Sequence, residues 1–596
     1  MSEQAMVITI GEGTCGIAAG AKEVTELLVK RFPAAVIRHV GCLGMCHQEV
    51  MVEIAHNGWS TLYGNVTKKN IPKIVRYYQG AAPQPDGIVI RSHPTDQPAP
   101  ETEKNSYLTR QTRIALRNVG QLDPTSLEQY RSRNGYQAIE KIIRSGMTPE
   151  QVIEEVKISN LRGRGGAGFP TAIKWGFARS APGDLKYLVC NGDEGDPGAF
   201  MDRSLLEGDP HNVLEGMLIA AYAIGASKGY AYIRAEYPLA VEYFGKAMAD
   251  ARQAGYLGKH ILGSDFSFDL KIKEGAGAFV CGEETALLAS IEGQRGMPRI
   301  RPPFPAIKGV FGKPTVINNV ETLSNLAWII NNGGAAYAAI GTEKSKGTKV
   351  FALAGAVARG GLVEIPMGMS IRQLLEEIGG GSKSGRPLKA VQLGGPSGGC
   401  IPASMFDTPI EYEAINATGA IMGSGGMVVM DEKACMVDLA RYFLEFTQLE
   451  SCGKCTFCRI GTLRMKELLN KICAGEGEMS DLDLLAELAP QIKTASLCGL
   501  GQTAPNPVLT TLDYFRDEYI AHIKDKRCPG GVCKALITHT IIQKECTGCS
   551  ICERYCPVDA IEGTLKKPET WVIDQQVCIN CGMCAEVCNP EAILVQ

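Results

Sequence analysis

Cys546-Thr547-Gly548-Cys549-Ser550-Ile551-Cys552-Glu553-Arg554-Tyr555-Cys556-Pro557 opens a pattern that Cys578-Ile579-Asn580-Cys581-Gly582-Met583-Cys584-Ala585-Glu586-Val587-Cys588 repeats farther along the chain. Each run offers three cysteines at two-residue gaps and a fourth after three more residues. Soft thiolates so spaced cover three corners of an iron–sulfur cubane from one loop, and a more distant cysteine reaches the fourth. A zinc ribbon is the other reading of Cys-x-x-Cys pairs, and eight cysteines in a double run fit it poorly.

Residues 535–596 resemble bacterial two-[4Fe–4S] ferredoxins, in which the fourth cysteine of each run ligates the other cluster. The resemblance implies one cluster on Cys546, Cys549, Cys552 and Cys588 and another on Cys556, Cys578, Cys581 and Cys584. Such clusters relay single electrons, so the tail reads as a port or wire and not as a catalyst.

The chain has 22 cysteines in 596 residues. Disulfide scaffolds are small and secreted, whereas this chain is large and its first residues show no basic segment followed by an apolar one. Metal is therefore the expected use of the clustered cysteines. In Glu450-Ser451-Cys452-Gly453-Lys454-Cys455-Thr456-Phe457-Cys458-Arg459-Ile460-Gly461 three of them again stand at two-residue gaps, and Cys498 follows in Ser496-Leu497-Cys498-Gly499. This set, Cys452, Cys455, Cys458 and Cys498, reads as a further [4Fe–4S] site, with zinc as the alternative. Cys190, Cys281, Cys400, Cys435 and Cys473 stand alone, and a buried apolar role is their default.

Between the middle set and the tail, His522, Cys528 and Cys533 are three zinc-type ligands lacking a fourth. Cys473 and His539 are the candidates for it, and a loop with free thiols is the competing reading. Near the N-terminus stand Gly13-Thr14-Cys15-Gly16 and Gly41-Cys42-Leu43-Gly44-Met45-Cys46. They resemble the thioredoxin-like [2Fe–2S] domain, a family with one cysteine pair at x4 spacing and one at x3. Here the x3 pair is intact and the x4 pair is reduced to Cys15. Two outcomes stay open: a [2Fe–2S] cluster with a non-cysteine fourth ligand, or an empty site.

The bulk numbers suit a folded multidomain protein, with 45% hydrophobic and 21% charged residues. A formal net charge of −3 gives no reason to expect nucleic acid or an anionic membrane as a partner. The most apolar helical stretch, Met217 to Ala226, spans about half a bilayer. A cytoplasmic protein is expected, attached to membrane only through a partner.

The large middle region is rich in glycine. Asn160-Leu161-Arg162-Gly163-Arg164-Gly165-Gly166-Ala167-Gly168-Phe169-Pro170 leads into a helix bearing Lys174. Glycines let a backbone approach a ligand closely and aim N–H groups at a phosphate beside a helix N-terminus. Tight packing of glycine-rich turns explains such a loop equally well when it is taken alone. Three more blocks accompany it: Asn191-Gly192-Asp193-Glu194-Gly195-Asp196-Pro197-Gly198, then Gly275-Ala276-Gly277-Ala278-Phe279-Val280-Cys281-Gly282-Glu283-Glu284-Thr285, then Arg301-Pro302-Pro303-Phe304-Pro305 with Asn318-Asn319.

Together with the middle cysteines, these blocks resemble, over roughly residues 110–525, the flavoprotein subunit of respiratory complex I and its relatives in NAD-linked hydrogenases and formate dehydrogenases. The resemblance implies FMN held by Gly163, Gly165, Gly166 and Lys174, with Asn191, Asp193, Glu194, Phe279, Gly282, Glu283, Asn318 and Asn319 lining the rest of the flavin. It implies NADH stacked on Phe169, Phe177 and Phe304, beside Asp196, Glu284 and Arg301. Phe279, Asp196 and Arg301 stand where the family usually has Tyr, Glu and Lys. Each keeps the shape or charge, so tuned affinity is expected. A flavin adapts two-electron hydride chemistry to one-electron clusters. Carboxylates near the adenosine ribose would repel a 2′-phosphate and favour NAD over NADP.

The expected fold class is multidomain α/β and α+β. Residues 1–79 form a thioredoxin-like domain, 80–108 a proline-rich linker, 109–340 the FMN/NAD-binding α/β domain and 341–428 a β-grasp module. Residues 429–526 form a helical [4Fe–4S] domain, and 527–596 the zinc linker with the two-cluster ferredoxin domain. This combination looks like the diaphorase subunit of NAD(P)-linked [FeFe]-hydrogenases, including electron-bifurcating ones. It implies a hetero-oligomer with a small thioredoxin-like [2Fe–2S] subunit and a hydrogenase subunit, exchanging electrons with soluble ferredoxin. The same subunit in a formate dehydrogenase, and a flavin-less electron-transfer scaffold, are the alternatives. No hydrogen-activating site is visible in the chain itself.

Overall fold

The computed structural model describes residues 5–102 and 106–595. Residues 1–4, at the chain's start, and 103–105, within the expected linker, lie outside them. The chain divides into two compact units: Met1–Gly385 with Leu393–Gly395 and Ser404–Val429, and Arg386–Gln392 with Pro396–Ala403 and Met430–Gln596.

The first unit begins with strands β1 (Val7–Gly11), β2 (Val36–Val40), β3 (Val52–His56), β4 (Trp59–Tyr63) and β5 (Val89–Pro94), in the sheet order β2-β1-β3-β4-β5. β1 runs parallel to β2 and antiparallel to β3. Opposite residues Ile8 and Ile54, and Ile10 and Val52, are buried and pack on Val24 and Leu28 of the Ala21–Arg31 helix. Part of the 80–108 segment, read from its prolines as linker, is thus strand: Val89 to Pro94 pairs antiparallel with β4. Pro94 ends an edge strand, where its missing N–H breaks no central ladder.

The next sheet is parallel throughout: β6 (Tyr187–Gly192), β7 (Lys228–Arg234), β8 (Asp269–Gly275) and β9 (Thr315–Asn319), in the order β8-β7-β6-β9. Leu188, Val189 and Cys190 are fully buried, as both faces of a covered parallel strand require. Behind the sheet lies the Pro210–Ile224 helix, apolar on nearly every side and buried along almost its whole length. It is a core helix, and among the described residues no helix is long and apolar enough to cross a membrane. Its one carboxylate, Glu215, is satisfied by Tyr130 Oη and by the N–H groups of Tyr136, Ala138 and Ile139. From β6 the chain steps outward through β7 to β8, then returns to the far side of β6 as β9. The order reverses between β6 and β9, and ligands of open α/β sheets bind outside the carboxyl ends of the strands at such a point.

The unit ends with β10 (Thr348–Gly355) antiparallel to β11 (Gly361–Pro366) and parallel to the strand Gly426–Asp431.

The second unit holds the strand Leu388–Leu393 as far as Gln392, and the strand Gly399–Pro402, so the 341–428 segment is shared between the units. The reason is local. Cys400 N–H donates to Thr510 Oγ1 at 3.0 Å, tying its strand to the Asn506–Tyr514 helix. Helices Met436–Leu449, Thr462–Cys473 and Met479–Ala495 follow, packed around Leu444, Met465, Leu469 and Leu485. In the tail, His539–Ile541 pairs with Ile593–Val595, and Ile561–Thr564 with Lys567–Ile573. Both cysteine runs share one backbone form. Ser550 and Gly582, each just after the second cysteine, take positive φ, as do Asp559 and Glu591 beyond each fourth cysteine. The fold is therefore a mixed α/β multidomain one, with a helical domain and a ferredoxin-like C-terminal domain.

Candidate functional site

The glycine loop is a closed turn. Gly163 N–H donates to Phe169 O at 2.9 Å and Thr171 N–H to Leu161 O at 2.9 Å, so residues 163–169 bulge from a narrow neck. Arg164 points inward and is almost fully buried, donating to Tyr337 Oη at 3.1 Å and to Lys346 O at 2.6 Å. Tyr412 Oη donates to Gly163 O at 2.9 Å. With Arg164 anchored, the glycines on either side present bare backbone. A Cβ on Gly165 would lie 2.9 Å from Asn319 Cβ, and one on Gly168 (φ +61°) 2.5 Å from the Tyr412 ring. The loop opens the Thr171–Ser180 helix, whose first residue has a buried hydroxyl with no hydrogen-bond partner. A cradle that excludes side chains, ending at a helix N-terminus, fits the phosphate end of FMN.

The strand blocks meet at the switch point. Asn191 is the penultimate residue of β6, and its Nδ2 donates to Gly282 O at 3.0 Å, while its Oδ1 accepts from Asp193 N–H at 3.1 Å. Asn318 and Asn319 end β9. Asn318 Oδ1 accepts from Trp175 Nε1 at 2.9 Å, and Asn319 Nδ2 donates to Asp202 Oδ2 at 2.6 Å. Glu194 accepts the N–H groups of Asp202 and Arg203 at 3.1 Å each. Burial pushes the Glu194 carboxyl up to about 7 and Asp196 to about 6, and burial beside Glu194 holds Asp202 well above the usual carboxylate range. Phe279 packs over Gly195, where a Cβ would stand 2.6 Å from the ring. Glu283 caps the Glu284–Ile291 helix through Thr285 and Ala286 N–H, both at 2.9 Å.

Lys174 Nζ donates to Glu284 Oε1 at 2.6 Å and to Ile317 O at 3.1 Å, so these two expected ligand groups stand paired. Phe169, Phe177 and Phe304 are 45%, 56% and 56% exposed, so their rings are open to a ligand. The Arg301 guanidinium lies 5.9 Å from the centre of the Phe304 ring. Asp196 accepts a hydrogen bond from Ser424 Oγ at 2.7 Å.

The cysteine sets also assemble. In the tail, Cys546, Cys549, Cys552 and Cys588 line one cavity with Ile541 and Trp571, so the second run's last cysteine stands with the first three of the other. Backbone N–H groups of Gly548 and Ala592 donate to the Cys546 and Cys588 sulfurs, and those of Asn580 and Ala560 to Cys578 and Cys556. Amide donors of this kind stabilise cluster-bound thiolates. In the middle set, burial first and then the nearby Cys455, Cys498 and Cys452 raise Cys458 to about 11.

In the N-terminal domain Cys46 Sγ lies 3.9 Å from both Cys42 Sγ and Cys15 Sγ. Arg203 Nη2 donates to Cys15 Sγ at 3.4 Å. Hydrogen bonds from Cys42 and Cys46 hold the Cys15 thiol down at about 3.

One expectation is corrected. His522, Cys528 and Cys533 do converge, but their fourth partner is Cys435, with all four ligand atoms within 4.8 Å of one another. Cys473 instead falls in a second group with Asp438 and Cys533. His539 bonds Asn580 Oδ1 at 3.0 Å in the tail. Three thiols and an imidazole so gathered fit tetrahedral zinc. Cys435, read as a structural single, caps the Met436–Leu449 helix, and no spacing motif marks it. Arg164, Tyr412 and Asp202 were likewise not legible as site residues. Arg164 at least stood inside the glycine motif.

Three family models match the chain: the Nuo51 FMN-binding domain over residues 156–328, the iron–sulfur binding region of NADH-ubiquinone oxidoreductase-F over 438–522, and a 4Fe-4S dicluster domain over 545–592. The HndC subunit of the NADP-reducing hydrogenase of Solidesulfovibrio fructosivorans is 56% identical over 77% of this chain and 93% of its own length. The F 2 subunit of the NADH-quinone oxidoreductase of Rhizobium meliloti is 48% identical over 70% of this chain and 99% of its own. A solved NAD+-reducing [NiFe]-hydrogenase in the H2-reduced state matches at TM-score 0.62 and 32% identity, covering 87% of this chain and 85% of that one. The chain therefore belongs to the family of NADH-binding FMN and iron–sulfur subunits shared by NADH-quinone oxidoreductases and NAD-linked hydrogenases.

Proposed function

We propose that this chain is the diaphorase subunit of an NAD- and ferredoxin-linked [FeFe]-hydrogenase complex of the electron-bifurcating kind. The observation that carries the reading is the joining, in one chain, of the glycine cradle at the β6/β9 switch point with the middle cysteine set and the double ferredoxin run. FMN, when bound, exchanges a hydride with NAD(H) and releases single electrons.

The chain's residues divide the work. The backbone of Gly163, Gly165 and Gly166 takes the phosphate, and Lys174 neutralises it. Asn191, Asp193, Glu194, Phe279, Gly282, Glu283, Asn318 and Asn319 surround the remaining flavin. Phe169, Phe177 and Phe304 stack the dinucleotide and exclude water. Asp196, Glu284 and Arg301 orient its ribose and phosphate groups, and the carboxylates disfavour a 2′-phosphate. Cys452, Cys455, Cys458 and Cys498 hold one [4Fe–4S] cluster. The two tail sets hold two more, and Cys15, Cys42 and Cys46 serve a [2Fe–2S] cluster. Zinc on Cys435, His522, Cys528 and Cys533 fastens the start of the tail to the helical domain. The partners are a small thioredoxin-like [2Fe–2S] subunit, the hydrogenase subunit and soluble ferredoxin.

The test is an anaerobic titration of the purified chain with NADH and, separately, NADPH, following flavin bleaching and cluster EPR. Bleaching by NADH at lower concentration than NADPH, with reduced-cluster signals, is expected. Bound flavin that neither nucleotide bleaches would sink the reading.

A further inference from the structure

We propose that Glu49 is the fourth protein ligand of the N-terminal iron–sulfur site, completing a Cys3Glu set with Cys15, Cys42 and Cys46. The inference rests on the cluster-carrying role proposed for this domain and names the residue that makes three cysteines sufficient.

Two thiolates on one tetrahedral metal at roughly 2.3 Å stand about 3.8 Å apart. Cys46 Sγ stands 3.9 Å from both Cys42 Sγ and Cys15 Sγ, so the three thiols gather at metal-ligand spacing. A [2Fe–2S] cluster takes four protein ligands, two on each iron, and the cysteines fill three of the places. The nearby group suited to the fourth is Glu49. Its Oε2 is fixed by Met51 N–H at 3.2 Å, whereas Oε1 is buried and has no hydrogen-bond partner. The carboxylate interacts with both Cys42 and Cys15, so it belongs to the same cluster of groups.

The backbone makes room for it. A Cβ on Gly16 would stand 2.3 Å from Gly11 O and 3.2 Å from Glu49 Oε2, and one on Gly11 3.7 Å from the same carboxylate oxygen. The carboxylate thus lies against the backbone of Gly11 and Gly16. Cys15 is held in place from the other side. Thr14 N–H and Oγ1 both donate to Glu207, at 2.9 and 2.5 Å, and Arg203 donates to the Cys15 sulfur. Arg203 also offsets part of the negative charge of the set. Charge decides between ligand types as well: a carboxylate is anionic, so Cys3Glu keeps the four negative charges of an all-cysteine set, which a histidine would not. Its oxygen is the harder donor, which suits ferric iron.

The experiment uses the full chain, purified without oxygen, as wild type and as Glu49→Ala and Glu49→Cys. Iron per flavin, EPR of the reduced protein at temperatures where [2Fe–2S] signals outlast [4Fe–4S] ones, and Mössbauer spectra of 57Fe-enriched protein are recorded. Wild type should show the [2Fe–2S] signal together with one ferric site of oxygen-ligated isomer shift. Glu49→Ala should lose the signal and two irons per flavin. Glu49→Cys should keep both, with g values and isomer shift moved to those of an all-thiolate cluster. A Glu49→Ala protein with the signal and g values unchanged would overturn the assignment, as would a wild type without any [2Fe–2S] signal. If Glu49→Ala fails to fold, the Cys variant decides alone, because unchanged spectra there exclude ligation by Glu49. Flavin bleaching by NADH is read separately. Its failure beside an intact oxygen-ligated cluster would count against the diaphorase reading and leave the ligand assignment standing.

Discussion

Glu284 and Lys174 stand 2.6 Å apart with about a quarter to a third of each side chain exposed, so solvent screens the pair and either partner can be recruited by a ligand. Removing the carboxylate should therefore act on the nucleotide more than on the fold. Glu284→Ala is expected to raise the KM for NADH about ten- to a hundredfold, the cost of a charged hydrogen bond of roughly 1.5–3 kcal/mol. FMN and iron contents should stay as in wild type. Flavin lost on purification of this variant would show that the two ligands are assigned the wrong way round. Glu194 gives a second test, through pH. Burial raises its carboxyl from 4.5 to about 7. A raised acid favours the folded state in its protonated form, so its contribution is complete below pH 4.5 and fades as pH climbs through 7. Glu194→Gln should flatten the fall in melting temperature between pH 5 and 7.5, and an unaltered slope would mean that the carboxyl is not the titrating group. Asn191, Glu194 and Asn319 were legible because they sit in compact motifs. Cys435 and Asp202 were not, since their partners His522 and Asn319 lie far along the chain and only folding brings them together.

Among the elements, the glycine loop and the helix it opens separate two roles of one residue type. Gly165 has Asn319 Cβ 2.9 Å from where its own Cβ would be, whereas Gly176, in the following helix, has open space. Gly165→Ala should empty the flavin site, because the loop must retreat from β9 to admit the methyl. Gly176→Ala should keep the flavin and stabilise the helix by about 0.5–1 kcal/mol. Equal flavin contents in the two variants would show that the cradle is looser than its contacts indicate. The loop was visible in the sequence as density of glycine, but its inward anchor, Arg164, was not, because a flanking arginine looks like a phosphate ligand until its partners Tyr337 and Lys346 are known. Strand β5 was hidden by its neighbours: prolines around it signal linker, and only the ladder to β4 reveals six residues of sheet. The helical character of residues 429–526 was legible, because the amphipathic period of a helix is a local signal.

At the scale of the molecule, electron transfer through the tail depends on which cysteines share a cluster, and the two runs admit two pairings. If each run closed on itself, Cys588 would serve the cluster of Cys578, Cys581 and Cys584. Instead it lines a cavity with Cys546, Cys549 and Cys552, close enough to raise the Cys552 thiol. Each run has a short helix directly after its second cysteine, Ile551–Arg554 and Met583–Glu586, and the antiparallel pairing of His539–Ile541 with Ile593–Val595 holds the tail's two ends together. Crossing over would make the two clusters interdependent, since each would be bound by both halves of the repeat, and would stiffen a small domain that has little apolar core of its own. Cys588→Ala should therefore cost the cluster on Cys546, Cys549 and Cys552 and lower total [4Fe–4S] iron by about a third. The decisive comparison is the double variant Cys546→Ala/Cys588→Ala. If both cysteines serve one cluster, the second substitution removes no further iron beyond the first. If the runs close on themselves, the double variant loses two clusters, and the crossed arrangement is wrong.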